Sequence, residues 1–362
     1  MRDNMWEYAF LDGTKYEPSK HDELIKKPLW AFSSEEMEEM GLPLIRDTAI
    51  TQKYFDVILA ADKSKPTPDQ SGFYVHTGGM TEKGNIVYGG NHEKGRGKQD
   101  TITHGEESVL ARALDDYGIE DQISIIGFLR EKGFAPAPRH CGPCRDGILK
   151  YDTSRLKVFG ASKDGGHVVV LPFSKYLKED FEETDEFLDF PGEQIETAVH
   201  GLKIASYRGL SGTPELEKKM EDGLYGAVIV AKNGKMWKGS FRGDTAYHSS
   251  YTISAAIDTF RNSGLLRGRD IDIEKLILVS QNSAPQIPYK DRQYFLDFAE
   301  SVQLFNNRGD EPLPVYMLQA DEKGDIVKGW KTDSYEWLPL PFSGKLFGLG
   351  PSYVKNIEAL LI

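Results

Sequence analysis

Hydrophobic and polar positions alternate along this chain with two periods, and the changes between them mark its elements. Ser33-Ser-Glu-Glu36 has the form of a capping box before a short helix that stops near Gly41-Leu-Pro43. Asp47 then caps a second helix, with Ile50, Tyr54, Ile58 and Ala61 on one face at three- to four-residue spacing. Lys63-Ser-Lys-Pro-Thr-Pro68 ends it. The period then shortens to two. Gly72-Phe-Tyr-Val-His-Thr77 and Asn85-Ile-Val-Tyr88 flank the turn Thr81-Glu-Lys-Gly84, which predicts a hairpin. A helix is expected from His104, with Val109, Leu110 and Ala113 facing a core, to Tyr117-Gly118. A strand at Ile123–Ile126, a helix opening at Cys141 and running through Ile148 and Leu149, and a strand at Leu156–Phe159 follow. Alternating strands and helices predict an α/β layered sheet.

The same order returns further on. Lys232-Asn-Gly234-Lys-Met-Trp237-Lys-Gly239 echoes Glu82-Lys-Gly84-Asn-Ile-Val-Tyr-Gly89. His248 stands 144 residues after His104, and both are followed by Ala at the seventh place, Ala255 and Ala111. Gln286-Ile-Pro-Tyr289-Lys-Asp291 echoes Cys141-Gly-Pro-Cys144-Arg-Asp146. Leu340-Pro-Phe-Ser343 repeats Leu171-Pro-Phe-Ser174, and Ile195, Val199 and Leu202 supply a leading helix like that at Ile50. Four matches in one order predict an internal duplication. The expected layout is a helical segment over 1–66, one domain over 67–185 and a second over 193–362, joined by the acidic, solvated stretch Asp180–Glu193.

Composition sets the class. At 362 residues, 39% hydrophobic and 28% charged, the chain is long enough for two ordinary globular cores. No apolar run approaches the roughly 18 residues of a membrane span. Met1-Arg-Asp-Asn-Met-Trp-Glu7 has no apolar signal region, so a cytoplasmic protein is expected. A formal net charge of −12 argues against a duplex-binding surface.

The chain has two cysteines, and they stand in Cys141-Gly-Pro-Cys144. Upstream lies His104-Gly-Glu106. One imidazole and two thiolates can hold Zn²⁺ and leave a fourth tetrahedral position for water. The ion brings that water's pKa to roughly 7, and Glu106 stands where a carboxylate could carry protons without ligating. Two other readings compete. Cys-Gly-Pro-Cys is also a thioredoxin-type tetrapeptide, which would make Cys141 and Cys144 a thiol–disulfide pair. A zinc-stabilised binding protein without turnover would need the same ligands. The redox reading requires no His-x-Glu upstream.

With these motifs in place, the chain resembles the cytidine deaminases. The family's His-Ala-Glu is matched by His104-Gly105-Glu106. Its Pro-Cys-Gly-x-Cys-Arg is matched by His140-Cys141-Gly142-Pro143-Cys144-Arg145. Its Asn-x-Glu, which grips the ribose hydroxyls, is matched by Asn91-His92-Glu93, and the aromatic of its Phe-x-Val strand by Phe73. The resemblance implies one zinc per chain on His104, Cys141 and Cys144, Glu106 as proton carrier, and Asn91, Glu93 and Phe73 at the nucleoside. Arg145 is read either as moderating the thiolate charge or as a surface helix arginine. The layout resembles the larger, dimeric class, in which a helical segment and a catalytic domain precede a zinc-free copy. That implies two tandem three-layer domains, each a mixed sheet with helices on both faces, and a homodimer. In the second copy, Ser250, Gln286 and Tyr289 are matched to Glu106, Cys141 and Cys144, and Phe241 and Gly243 to Asn91 and Glu93. None of these replaces a metal ligand or proton carrier.

The chain departs from the family at His140, in the segment Arg130–Pro138, and in the basic loop Lys94-Gly-Arg-Gly-Lys98. Asn91 and Glu93 imply a free sugar, since Glu93 can accept from a hydroxyl but would repel a phosphate, so the expected substrate is cytidine, deoxycytidine or a base-modified cytidine. A cytosine nucleotide or a base within RNA is the alternative if the basic loop binds phosphate.

Overall fold

The computed structural model describes residues 7–10, 48–69, 74–93, 102–130, 140–162, 167–207, 224–243, 251–263, 272–281, 283–305 and 311–339. The chain divides into two compact units, Met1–Leu177 and Lys178–Ile362.

The first unit runs β1 (Glu7–Phe10), α1 (Thr48–Ala61), β2 (Thr67–Pro68), β3 (Val75–Thr81), β4 (Ile86–Gly90), β5 (His92–Glu93), β6 (Ile102–Thr103), α2 (Gly105–Tyr117), β7 (Ile123–Arg130), α3 (Gly142–Ile148), β8 (Lys157–Ser162) and β9 (His167–Pro172), closing in a 3₁₀ turn at Phe173–Tyr176. Its main sheet has the order β1-β9-β8-β7-β3-β4. β1 lies parallel to β9 and β7 parallel to β8; the other pairs are antiparallel. Two consecutive glycines fix the layering. A Cβ at Gly78 would fall 2.6 Å from the Val57 carbonyl of α1, and one at Gly79 would fall 2.7 Å from the Val109 side chain of α2. Successive strand residues point to opposite faces, so α1 and α2 cover the two sides of the sheet. Val57, Ile58 and Ala61 of α1 pack with Met80, Ile125, Leu129 and Phe159 of the strands. Val109, Leu110 and Ala113 of α2 are buried as their spacing predicts.

The hairpin forms with β3 starting at Val75, and Gly84 takes the left-handed φ of 88° that its turn demands. Of residues 1–66, β1 is a strand in register with β9 and α1 is the helix expected after Asp47. The helix expected after Ser33 lies outside the described residues.

The second unit runs β10 (Glu182–Glu183), a 3₁₀ turn (Glu186–Asp189), α4 (Gly192–Lys203), β11 (Ser206–Tyr207), β12 (Tyr225–Ala231), β13 (Met236–Ser240), β14 (Arg242–Gly243), α5 (Thr252–Asn262), β15 (Ile273–Gln281), α6 (Tyr289–Phe305), β16 (Pro314–Ala320) and β17 (Ile326–Asp333). Its main sheet is β10-β17-β16-β15-β12-β13, with β15 and β16 parallel and the remaining pairs antiparallel. Strands β17-β16-β15-β12-β13 thus repeat the order and the senses of β9-β8-β7-β3-β4. Gly226 meets Ala198 of α4, and Gly239 meets Thr252 and Ala256 of α5. Ala227, the cross-strand partner of Gly239, is the neighbour of Gly226, so α4 and α5 lie on opposite faces.

Candidate metal centre and active site

The site forms where two helices begin. His104 is the N-cap of α2, in extended conformation. Its backbone N–H donates to the Glu107 carboxylate at 2.9 Å, closing a capping box that holds the cap residue in place. The next residue must be small: a Cβ at Gly105 would fall 2.0 Å from Thr77 Oγ1 and 3.0 Å from Thr77 Cβ. Cys141 is the N-cap of α3, with proline in the first turn, where its missing N–H costs no hydrogen bond. Cys144 lies one turn further, fully buried.

These two helix starts bring three donors together. Cys141 Sγ lies 3.3 Å from His104 Nδ1 and 3.3 Å from Cys144 Sγ, and the donor atoms of all three residues fall within 4.8 Å of one another. Donors around one tetrahedral ion at about 2.0–2.3 Å would be separated by roughly 3.3–3.8 Å. Two sulfurs and an imidazole are also the ligand chemistry zinc prefers, so the residues fit the ion. Among the described residues they form the one such cluster. Without metal they share protons. The hydrogen bond with Cys144 is the largest influence on Cys141, which His104 also helps hold down to about 6. The same bond and burial push the Cys144 thiol up. Burial opposes a charge on His104, but the Cys141 thiolate outweighs it and raises the imidazole to about 10.

Glu106 is buried in the first turn of α2. Burial favours its neutral form, yet the hydrogen bond from His140 and the charge of His104 overcome that and hold its carboxyl down to about 2. His140 Nδ1 lies 2.8 Å from Glu106 Oε1. The imidazole is fully buried, edge-on to Phe128 and Tyr176 at 6.0 and 5.5 Å between ring centres. Arg145 is fully buried as well. Its Nε donates to the His140 carbonyl at 2.9 Å and its Nη1 to the Tyr176 carbonyl at 3.0 Å, with the guanidinium 5.3 Å from the Tyr176 ring centre. This corrects the surface reading of Arg145: it ties the segment before Cys141 to the end of the sheet.

Asn91 and Glu93 are buried. Asn91 Oδ1 accepts from the Val75 amide at 2.9 Å. β5 pairs with β6, His92 opposite Thr103, so Asn91-His92-Glu93 runs beside the strand that feeds His104. Phe73, the Lys94–Lys98 loop and 131–138 lie outside the described residues. Sequence reasoning passed over Glu107, Thr77 and the pairing of His140 with Glu106. Glu107 had a signal, since a glutamate three residues after a cap closes a box.

The second unit places other residues at the matching points. α5 has Tyr251 as its N-cap, 147 residues after His104. Arg292 Nε donates to the carbonyl five residues back, Ile287, at 3.1 Å, as Arg145 does to His140, and its Nη1 donates to the Trp337 carbonyl. The same offset of 147 therefore relates both helix starts. It sets Tyr251, Ile253, Ile287, Pro288 and Asp291 against His104, Glu106, His140, Cys141 and Cys144. The match of Tyr289 to Cys144 by sequence is two residues out of register. His248 and Ser250 lie outside the described residues.

No protein-family model matches the chain, and no curated protein matches it. Among solved structures it is similar to the cytidine deaminase of Burkholderia pseudomallei, with 24% identity over 35% of this chain and 98% of that one and a TM-score of 0.30. It is also similar to the cytidine deaminase of Mycobacterium leprae (18% identity, 37% of this chain and 100% of that one, TM-score 0.28). That of Mycobacterium tuberculosis gives 19% identity, 37% and 98% coverage, and a TM-score of 0.28.

Proposed function

We propose that this protein catalyses the hydrolytic deamination of cytidine, deoxycytidine or a base-modified cytidine, taking up water and releasing ammonia to leave the uridine form. One observation carries the reading: His104, Cys141 and Cys144 converge on a single point, with the buried Glu106 two residues after His104 and held by His140. His104, Cys141 and Cys144 hold one zinc per chain, which when bound supplies a water acidic enough to ionise near neutral pH. Glu106 starts as a carboxylate and so accepts a proton from the attacking water. It delivers that proton to the ring nitrogen next to the attacked carbon, then serves the departing amine. Asn91 and Glu93 bind the sugar hydroxyls, and Phe73 stands by the base. His104 also argues against a thiol–disulfide reading, since a dithiol pair has no use for a third donor 3.3 Å from its first sulfur.

The second unit acts as a zinc-free copy, and the chain works as a symmetric homodimer. Its place is the cytoplasm, where two free cysteines stay reduced.

The test is ammonia release from cytidine, deoxycytidine, cytidine 5′-monophosphate and a cytosine-containing RNA oligonucleotide, with zinc measured on the same samples. Glu106→Gln should lower turnover by about 10²–10⁴-fold with zinc retained. Undiminished turnover in a zinc-replete variant would reject this assignment of Glu106. A preference for the monophosphate or the oligonucleotide would move the substrate to the alternative class.

A further inference from the structure

We infer that His140 is a positioning residue for the proton carrier: it fixes one carboxylate oxygen of Glu106 and leaves the other to carry the proton. The inference rests on the reading of Glu106 given above. A carboxylate brings no hydrogen to the 2.8 Å contact between His140 Nδ1 and Glu106 Oε1, so the imidazole supplies it. Nε2 has no hydrogen-bond partner among the described residues, which leaves Nδ1 as the working nitrogen. A buried glutamate has three side-chain torsions, and a misplacement of about 1 Å in a reacting group costs on the order of 10²-fold. His140 removes that freedom, and the edge-on rings of Phe128 and Tyr176 fix the imidazole in turn.

The bland reading makes His140 a packing residue of the arginine cage. The second unit separates the two. There the arginine and its bond to the carbonyl five residues back are both kept, in Arg292 and Ile287. The glutamate and the histidine are lost together, to Ile253 and Ile287, both buried. The cage needs only the backbone carbonyl at that place. An imidazole appears there only in the unit that has a glutamate for it to hold.

His140→Ile installs the side chain the second unit carries, and leaves the carbonyl that Arg145 uses. It should keep zinc near one per chain and lower kcat by about 10²-fold, with KM changed less than about threefold. His140→Asn, which returns a donor near the Nδ1 position, should recover at least about tenfold of that loss. In a Glu106→Gln background, His140→Ile should cost less than about twofold more, because residues acting as a unit are not additive. A kcat within twofold of wild type for His140→Ile, or a full loss that adds on top of Glu106→Gln, would overturn the inference and leave the deaminase reading standing. Proton NMR gives a readout independent of turnover. A downfield imidazole N–H resonance should be present in wild type, absent in His140→Asn and shifted in Glu106→Gln, with and without zinc. If no panel compound is deaminated, that resonance still decides the pairing: indifference to Glu106→Gln overturns it, and a shift upholds it.

Discussion

Gly105 shows what one residue in the motif owes to its neighbour. At Gly105 the Thr77 hydroxyl occupies the space a methyl would need. Gly105→Ala should therefore cost about 1–3 kcal/mol of overpacking and lower the melting temperature. The double variant Thr77→Ala, Gly105→Ala should regain much of it, the Thr77 Cβ at 3.0 Å still being close. Thermal melts of the two variants check this, and a double variant no more stable than Gly105→Ala would refute the steric account. The convergence of His104, Cys141 and Cys144 was legible because residue type and spacing carry their chemistry. Arg145 was not. Its partners are carbonyls of His140 and Tyr176, and a backbone carbonyl leaves no mark on the residue that bears it. The pairing of His140 with Glu106 was hidden for a related reason: the two stand 34 residues apart, and only the convergence of α2 and α3 brings them into contact.

At the scale of elements, each unit must fasten the starts of two helices that follow different strands. In the first unit the three donors at α2 and α3 are that fastening. In the second, Asp291 stands at the Cys144 position and joins α6 to the start of α5. Its carboxylate accepts the Tyr225 hydroxyl and the Ile253 amide in the first turn of α5. Matching by residue identity missed this because helix caps, not a shared Tyr-Lys-Asp or Cys-Arg-Asp run, decide which turn faces which. Asp291→Ala orphans a buried hydroxyl and an amide, and should cost about 2–3 kcal/mol. The pH dependence distinguishes charge from hydrogen bonding. Burial raises the Asp291 carboxyl from 3.8 to about 6, with the Tyr225 hydroxyl and Ile253 amide offsetting part of the shift. A folded value above the unfolded one means that the group favours the fold most below pH 4 and loses that contribution as pH rises through 6. Asp291→Asn keeps an acceptor and has no charge to bury. The stability of wild type minus that of Asp291→Asn should fall by about 3 kcal/mol between pH 3.5 and 7, measured by denaturant unfolding. A flat difference, or one that rises with pH, would show that the carboxylate is stabilised rather than strained by its site.

At the scale of the whole molecule, the strand order that the two units share left a mark in the sequence, because Gly84 and Gly234 take the same tight turn in each unit, at φ 88° and 80°. What sequence could not give was the parallel pairing of β1 with β9, since Glu7–Phe10 is four residues long and its partner lies 160 residues away. Two units with one strand order but different fastenings should respond differently to metal. Binding at about 10³ times Kd contributes about 4 kcal/mol to the state that binds, which is roughly 10³-fold in amide exchange where that unit opens as a whole. Stripping zinc from the full chain should therefore speed exchange in α2 and β7 and leave α5 and β15 unchanged, as read by mass spectrometry of exchanged peptides. Sedimentation with metal analysis should find a particle of two chains and two zinc ions. Two zinc ions per chain, or equal loss of protection in α5 and α2, would mean that the second unit holds metal and is no zinc-free copy. A fully active monomer with one zinc would sink the dimer and leave the assignment of the ligands intact.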